Sequence, residues 1–387
     1  MSTLLDPYIP LLGYLAVWVI IYVVAVLLKA DKHGIVAKPY YLMLKTVVFN
    51  SWLERIGSKF RRGWLAFFDI GAAMGVGLVA FVIYSFIFNA VGLLQRSSSA
   101  GPTYLIIPLP GVTISWEIFP YILLAIAVLL IPHEVAHGIA SVLDKVPLKS
   151  SGVFMAVFLP GGFVEIDEEN LAKRKARTKL RVFAAGSFTN VATWGLVLLL
   201  VAALFVPTPS GVLVTGFTDS SPAHAAGVPQ WSVITSVNAT STPVSSTLEL
   251  GHYLVRLHPG DHAIIGLSGG QTYNIVTGTS PTNSSRAIIG VINQNYFALR
   301  YPFLSVHGAY QLSTAFGWLQ LILLGVALVN MLPLFPFDGD RYLDTLLNVI
   351  GLKNTKNVRV VASVISLSLL GSNIILSYIL FGTIFPG

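Results

Sequence analysis

Six stretches of this chain, at about residues 10–30, 65–94, 116–142, 181–206, 312–335 and 360–385, stay apolar over the ~20 residues that a helix needs to cross a bilayer. Hydrocarbon offers no partner to backbone N–H and C=O groups, so runs of this length must satisfy them internally as helices. Composition agrees: only 11% of the residues are charged, against roughly 25% in a soluble globular domain. The expected fold class is an α-helical polytopic membrane protein with about six transmembrane helices. The first run begins at Pro10, with no basic segment ahead of it and no small-residue cleavage pattern behind it, and is expected to be a retained helix, not a removed leader.

The absence of cysteine excludes a disulfide framework, a thiolate metal site and a cysteine nucleophile. The net charge of +7 is informative through its distribution. Lys29, Lys32, Lys38, Lys45, Arg55, Lys59, Arg61 and Arg62 lie between the first two runs, and a second basic cluster from Lys145 to Arg181 lies between the third and fourth. By the positive-inside rule both loops are expected to be cytoplasmic, with both termini outside. Loop 33–64 mixes these cations with aromatics and reads either as an ordinary positive-inside loop or as an interfacial amphipathic segment. Loop 96–115 has too many prolines and glycines for a helix and is expected to be irregular or a hairpin.

Residues 207–292 break the membrane pattern. Short β-branched runs such as "SVITSV" and "AIIGL" alternate with Gly/Pro/Ser clusters, which predicts a small, mostly β domain. It follows the fourth run and carries few cations, so it is expected to be extracytoplasmic.

The segment "IPHEVAHGIA" (131–140) places two histidines and a glutamate inside the third apolar run. His133 and His137 are four apart and share a helix face, so both imidazoles can address one ion. Glu134 then faces the open coordination position, in the manner of a zinc hydrolase whose glutamate accepts a proton from water. Random placement of 8 histidines among 387 residues would produce this pattern only about 0.003 times per chain. An ionisable side chain at the centre of a membrane helix costs at least about 2.5–3.5 kcal/mol on insertion scales and tends to mark function. A third ligand is expected from another span. Asp338 in "NMLPLFPFDGDRYLD" (330–344) is the candidate, at about the same depth, where two prolines interrupt the fifth run.

Together these residues resemble the site-2 protease family of intramembrane zinc metalloproteases, through H-E-x-x-H at 133–137 and N-x-x-P-x-x-x-x-D-G at 330–339. The resemblance implies that His133, His137 and Asp338 hold Zn²⁺, that Glu134 is the general base, and that Asn330 binds substrate backbone or stabilises the oxyanion. "GGFVEID" (161–167) looks like the family's β-segment that pairs with substrate, and "GSFTN" (186–190) like its G-x-x-x-N element, with Asn190 facing the site. The β domain looks like an inserted PDZ domain, although Gln230 and Trp231 stand where such domains usually have a glycine. Asp340 is a second departure, in a place where the family often has another glycine.

The expected organisation is accessory helices and loops over 1–115, the first part of a catalytic membrane core over 116–206, a PDZ-like domain over 207–292, the second part of the core over 293–345, and a C-terminal transmembrane helix over 346–387. The expected activity is hydrolysis of peptide bonds within or near transmembrane segments in regulated intramembrane proteolysis. Expected partners are transmembrane substrates, possibly pretrimmed by another protease, and the lipid bilayer, with no nucleic acid. The expected location is a prokaryotic cell membrane, the site being nearer the cytoplasmic face. A metal-ion transporter and a non-catalytic scaffold are the alternatives; Glu134 speaks against the first, because transport needs no acid beside the first histidine.

Overall fold

The computed structural model describes residues 9–157, 159–238 and 242–386. The first eight residues of the expected N-terminal region, and 239–241 of the expected β domain, lie outside the described residues. Among the described residues six helices are long and apolar enough to cross a membrane: α1 (Ile9–Leu27), α3 (Arg61–Leu94), α4 (Phe119–Leu143), α6 (Ala176–Leu204), α9 (Val306–Asn330) and α11 (Thr355–Phe381). Their side chains face outward with little polar relief, as on Val19, Ile20 and Leu199, which is what a hydrocarbon solvent requires. The protein is an integral membrane protein with an inserted β-rich region.

Loop 33–64 is more ordered than either expectation for it. It forms a hairpin of β1 (Ile35–Lys38) and β2 (Tyr41–Thr46), followed by α2 (Val48–Lys59). The hairpin joins β3 (Leu148–Ala156) and β4 (Leu159–Ile166) in one antiparallel sheet of order β1-β2-β3-β4. Leu42 pairs with Met155 and Lys45 with Gly152, across more than a hundred residues of chain. α2 buries Leu53 in a core with Ala136, Ile139 and Ala140 of α4. The two basic loops therefore form one substructure beside the H-E-x-x-H helix. Loop 96–115 is irregular, with a single bridge between Pro110 and Ile114.

The fifth apolar run ends sooner than expected, at Asn330. Pro333 has no N–H to continue the helix and disfavours helical geometry in the residue before it. Turns through Leu332–Leu334 and Leu334–Phe337 lead to a separate amphipathic helix, α10 (Asp338–Val349), with Asp338 at its first position. A short helix, α5 (Glu168–Ala172), follows β4 and is capped by Asp167, whose Oδ1 accepts the Asn170 N–H at 3.2 Å.

The chain divides into two compact units, Met1–Gly195 with Trp318–Gly387, and Leu196–Gly317. The first holds the sheet just described and the core around α4. The second holds an antiparallel sheet of β12 (Val291–Asn295), β5 (Val212–Phe217), β6 (Val233–Val237), β8 (His262–Leu267) and β9 (Thr272–Val276), in that order, with β7 (Thr242–Pro243) paired to β6. A hairpin of β10 (Gly278–Ser280) and β11 (Asn283–Ile288) and the short helices α7 (Pro222–Ala225) and α8 (Thr247–Leu254) complete it. Val212, Val214, Ile234, Ile265 and Ile275 fill its core. Ser221 and Ser246 cap the two helices, accepting from the N–H groups of His224 and Glu249. Trp231 lies against the first turns of α9, its ring stacked on His307 at 4.1 Å between centroids.

Candidate metal centre

α4 brings His133 and His137 to one face, both buried, and the start of α10 brings Asp338 to them. The two Nε2 atoms lie 3.2 Å apart. Asp338 Oδ2 is 3.2 Å from Nε2 of His137 and 3.7 Å from Nε2 of His133. A tetrahedral zinc with ligands at about 2.0–2.2 Å sets its ligand atoms roughly 3.3–3.5 Å apart. The three donors therefore form one face of such a tetrahedron without rearrangement, and they are a group able to hold a metal ion.

The tautomers agree. His137 Nδ1–H donates to the Val182 carbonyl at 2.8 Å, which leaves the Nε2 lone pair facing the Asp338 carboxylate. Two electron-rich atoms that close repel unless a cation or a proton lies between them. His133 Nδ1 meets the Asn190 amide nitrogen at 3.0 Å, while Asn190 Oδ1 is buried with no partner among the described residues. A half-turn of that amide presents Oδ1 to a protonated Nδ1 and frees the His133 Nε2 lone pair for a metal. Both histidines then have the outer hydrogen-bond partner that metal-bound imidazoles usually have.

Space at the site depends on small residues. A Cβ at Gly186, one turn before Asn190 on α6, would fall on the rings of His133 and His137. At Gly162 of β4 a Cβ would stand 3.1 Å from Cγ of Glu134, and Val164 N–H donates to Glu134 Oε2 at 3.1 Å. Adjacent strand residues direct their backbone groups to opposite sides. The outward edge of β4 at Gly162 and Val164 thus passes directly by Glu134.

His133, Glu134, His137 and Asp338 converge on one cavity, and Asn330 joins them: its Nδ2 lies 3.4 Å from His133 Nε2. Asn190 contacts the Nδ1 side of His133, away from the ring nitrogen that faces the other donors. Asp340 is turned away from the donors and paired bidentately with Arg359. Sequence reasoning missed the Val182 carbonyl, the Val164 N–H and the steric role of Gly186. Only Gly186 left a signal, through its four-residue spacing to Asn190.

A polar cavity of about 320 Å³ contains His133, Glu134, His137, Asn330 and Asp338. A second cavity, of about 740 Å³ and almost wholly apolar, runs between α4 and the sheet, past Met43, Leu130, Phe154 and Gly161, and ends at Glu134. Glu134 is common to both.

This donor set sits in a region that matches a known family: the model for peptidase family M50 covers residues 121–372, well over half of the chain. The chain belongs to peptidase family M50. That family consists of zinc metalloproteases, and the donors described above fit its metal. Over 154 residues the chain is 27% identical to the membrane-bound transcription factor site-2 protease homolog of Arabidopsis thaliana, a match covering 39% of this chain and 29% of that protein. The chain thus spans less than a third of the length of that relative. A solved PDZ domain, from the SdrC-like protein of Listeria monocytogenes, is similar over 23% of this chain and 92% of that domain, with 21% identity and a TM-score of 0.20.

Proposed function

We propose that this M50 family member is an intramembrane zinc metalloprotease that cleaves peptide bonds within or beside transmembrane segments of other proteins. The observation that carries the proposal is the convergence of His133, His137 and Asp338 on one point, with Glu134 at the junction of a polar and an apolar cavity. Zinc held by these three residues would supply a Lewis acid that polarises the scissile carbonyl and makes water more acidic.

The remaining work falls to the chain itself. Glu134 receives the proton of the attacking water on its carboxylate and passes it to the leaving amine. The Asn330 amide, beside His133, donates a hydrogen bond to the oxygen on which negative charge develops. Asn190 and the Val182 carbonyl hold the two imidazoles in the required tautomer. A helical peptide bond is closed to attack, so the substrate must be extended locally, and the outward edge of β4 offers backbone partners for an added strand. An extended apolar segment suits the 740 Å³ groove, while water enters through the polar cavity.

The basic loops 29–62 and 145–181 favour a cytoplasmic position for the sheet and the metal centre, with the β-rich unit on the opposite side of a prokaryotic cell membrane. There it would act as a size filter or recognition module for substrates trimmed by another protease. Deletion of 207–292 tests this, since unchanged discrimination between full-length and pretrimmed substrate refutes it.

The central experiment is cleavage of a transmembrane substrate by detergent-purified protein and its Glu134→Gln variant, with bound zinc measured in both. Cleavage lost with zinc retained is the expected result. A variant that cleaves at the parental rate, or folded parent protein without affinity for zinc, overturns the proposal.

A further inference from the structure

The irregular segment between α9 and α10 carries Asn330 at its start and Asp338 at its end. Its two prolines remove the continuous hydrogen bonds that would hold a helix straight through it. The last helix contacts this segment on both flanks. Arg359 and Ser363 are four apart on α11 and share a face. Arg359 Nε donates to Asp340 Oδ1 at 2.9 Å, a second guanidinium nitrogen donates to Oδ2, and the third lies 3.6 Å from Asp344 Oδ1. Ser363 Oγ donates to the Pro333 carbonyl at 3.2 Å. Asp340 is 2% exposed, so its carboxylate oxygens take their hydrogen bonds from this partner and not from water. The first turn of α10 is also pressed tightly onto the end of α9: a Cβ at Gly339 would strike the carbonyls of Met331 and Leu332.

We propose that Arg359 and Ser363 are positioning residues for the third metal ligand, which makes the last transmembrane helix a working part of the metal centre. The proposal rests on the metalloprotease reading above. Asp338 must bring one oxygen to within about 0.2 Å of its ideal distance from a metal, and its own side chain is only partly enclosed. The turn that carries it is instead fixed from behind, through Asp340 two residues on and Pro333 five residues before. Asp340 thereby has a partner of its own on α11.

The test measures zinc affinity by competition with a chromogenic chelator, on full-length protein in detergent, with thermal unfolding and substrate kinetics in parallel. Arg359→Ala is expected to lower zinc affinity 10- to 100-fold, the usual range for residues that support ligands. It should lower kcat while leaving KM unchanged, because the apolar groove is untouched. Arg359→Lys should fall between, since an ammonium keeps the charge and loses the two-pronged geometry. The double variant Arg359→Ala/Asp340→Ala should lose less than the two single losses combined, because no unpaired buried charge remains. Reduced thermal stability with parental zinc affinity in Arg359→Ala would mean a purely architectural role and overturns the proposal. If Arg359→Ala does not fold, Arg359→Lys and Ser363→Ala decide, and parental affinity in both overturns it. A parent protein that neither binds zinc nor cleaves substrate overturns the metalloprotease reading itself, an outcome distinct from an unaffected variant of an active parent.

Discussion

Replacing Gly186 with alanine adds one methyl group at a crowded point of the candidate metal centre. A Cβ there would lie within 2.5 Å of His137 Nε2 and closer still to the ring of His133. Relaxed contacts between non-bonded carbons sit at about 3.5–4.0 Å. One imidazole, or α6 itself, must therefore shift by on the order of 1 Å, several times the roughly 0.2 Å tolerance of a metal–ligand distance. Zinc affinity should fall at least tenfold, which corresponds to about 1.4 kcal/mol, and cleavage should fall with it. Intrinsic propensity works the other way, since alanine favours a helix over glycine by roughly 1 kcal/mol, so helix destabilisation does not account for the loss. Gly195→Ala in the same helix is the control, because a Cβ there meets nothing within 4 Å. Chelator competition and substrate cleavage are measured on both variants. Parental zinc affinity in Gly186→Ala would refute the claim that this glycine makes room for the ligands.

Arg181 joins α6 to Asp69 of α3 at 2.6 Å and to Asp144, just beyond α4, at 3.0 Å, and its side chain is buried; Arg181→Ala takes this cation from Asp144 and leaves Asp69 to Arg177 alone, and should cost about 2 kcal/mol of stability, read by thermal unfolding in detergent, with an unchanged midpoint counting against the network. Trp231 adopts a left-handed φ of 64° while stacked on His307, so Trp231→Gly relieves the backbone and should be less destabilising than Trp231→Ala by about 1 kcal/mol; the reverse order would show that the backbone there carries no strain. The Ser150 hydroxyl, and then Lys45, hold the Glu165 carboxyl below the ordinary glutamate pKa. The folded form therefore favours the ionised side chain, and this contribution, present at neutral pH, is lost as pH falls below the ordinary glutamate range. Hydrogen exchange of β3 and β4 amides should speed up there in the parent protein more than in Glu165→Gln, and equal responses would remove Glu165 as the cause.

The spans and the donor types are legible from the amino-acid order alone. Both follow from local rules: a bilayer forces apolar runs into helices, and a four-residue spacing puts His133 and His137 on one face. The motif around Asp338 was legible for the same reason, because Pro333 and Pro336 mark a break that a membrane helix does not carry idly. The tertiary structure alone decided which distant groups meet. Backbone N–H and C=O groups recur at every residue of α6, and nothing in the spelling of the chain marks the Val182 carbonyl as the one that meets His137 Nδ1. The pairing of β2 with β3 joins segments that read as two separate basic loops, because strand register depends on partners more than a hundred residues away. Nothing in the sequence links Asp340 to Arg359, and packing alone brings them into contact. Periodicity encodes which face of an element is apolar; it does not encode which other element that face will meet, and the metal centre is built from such meetings.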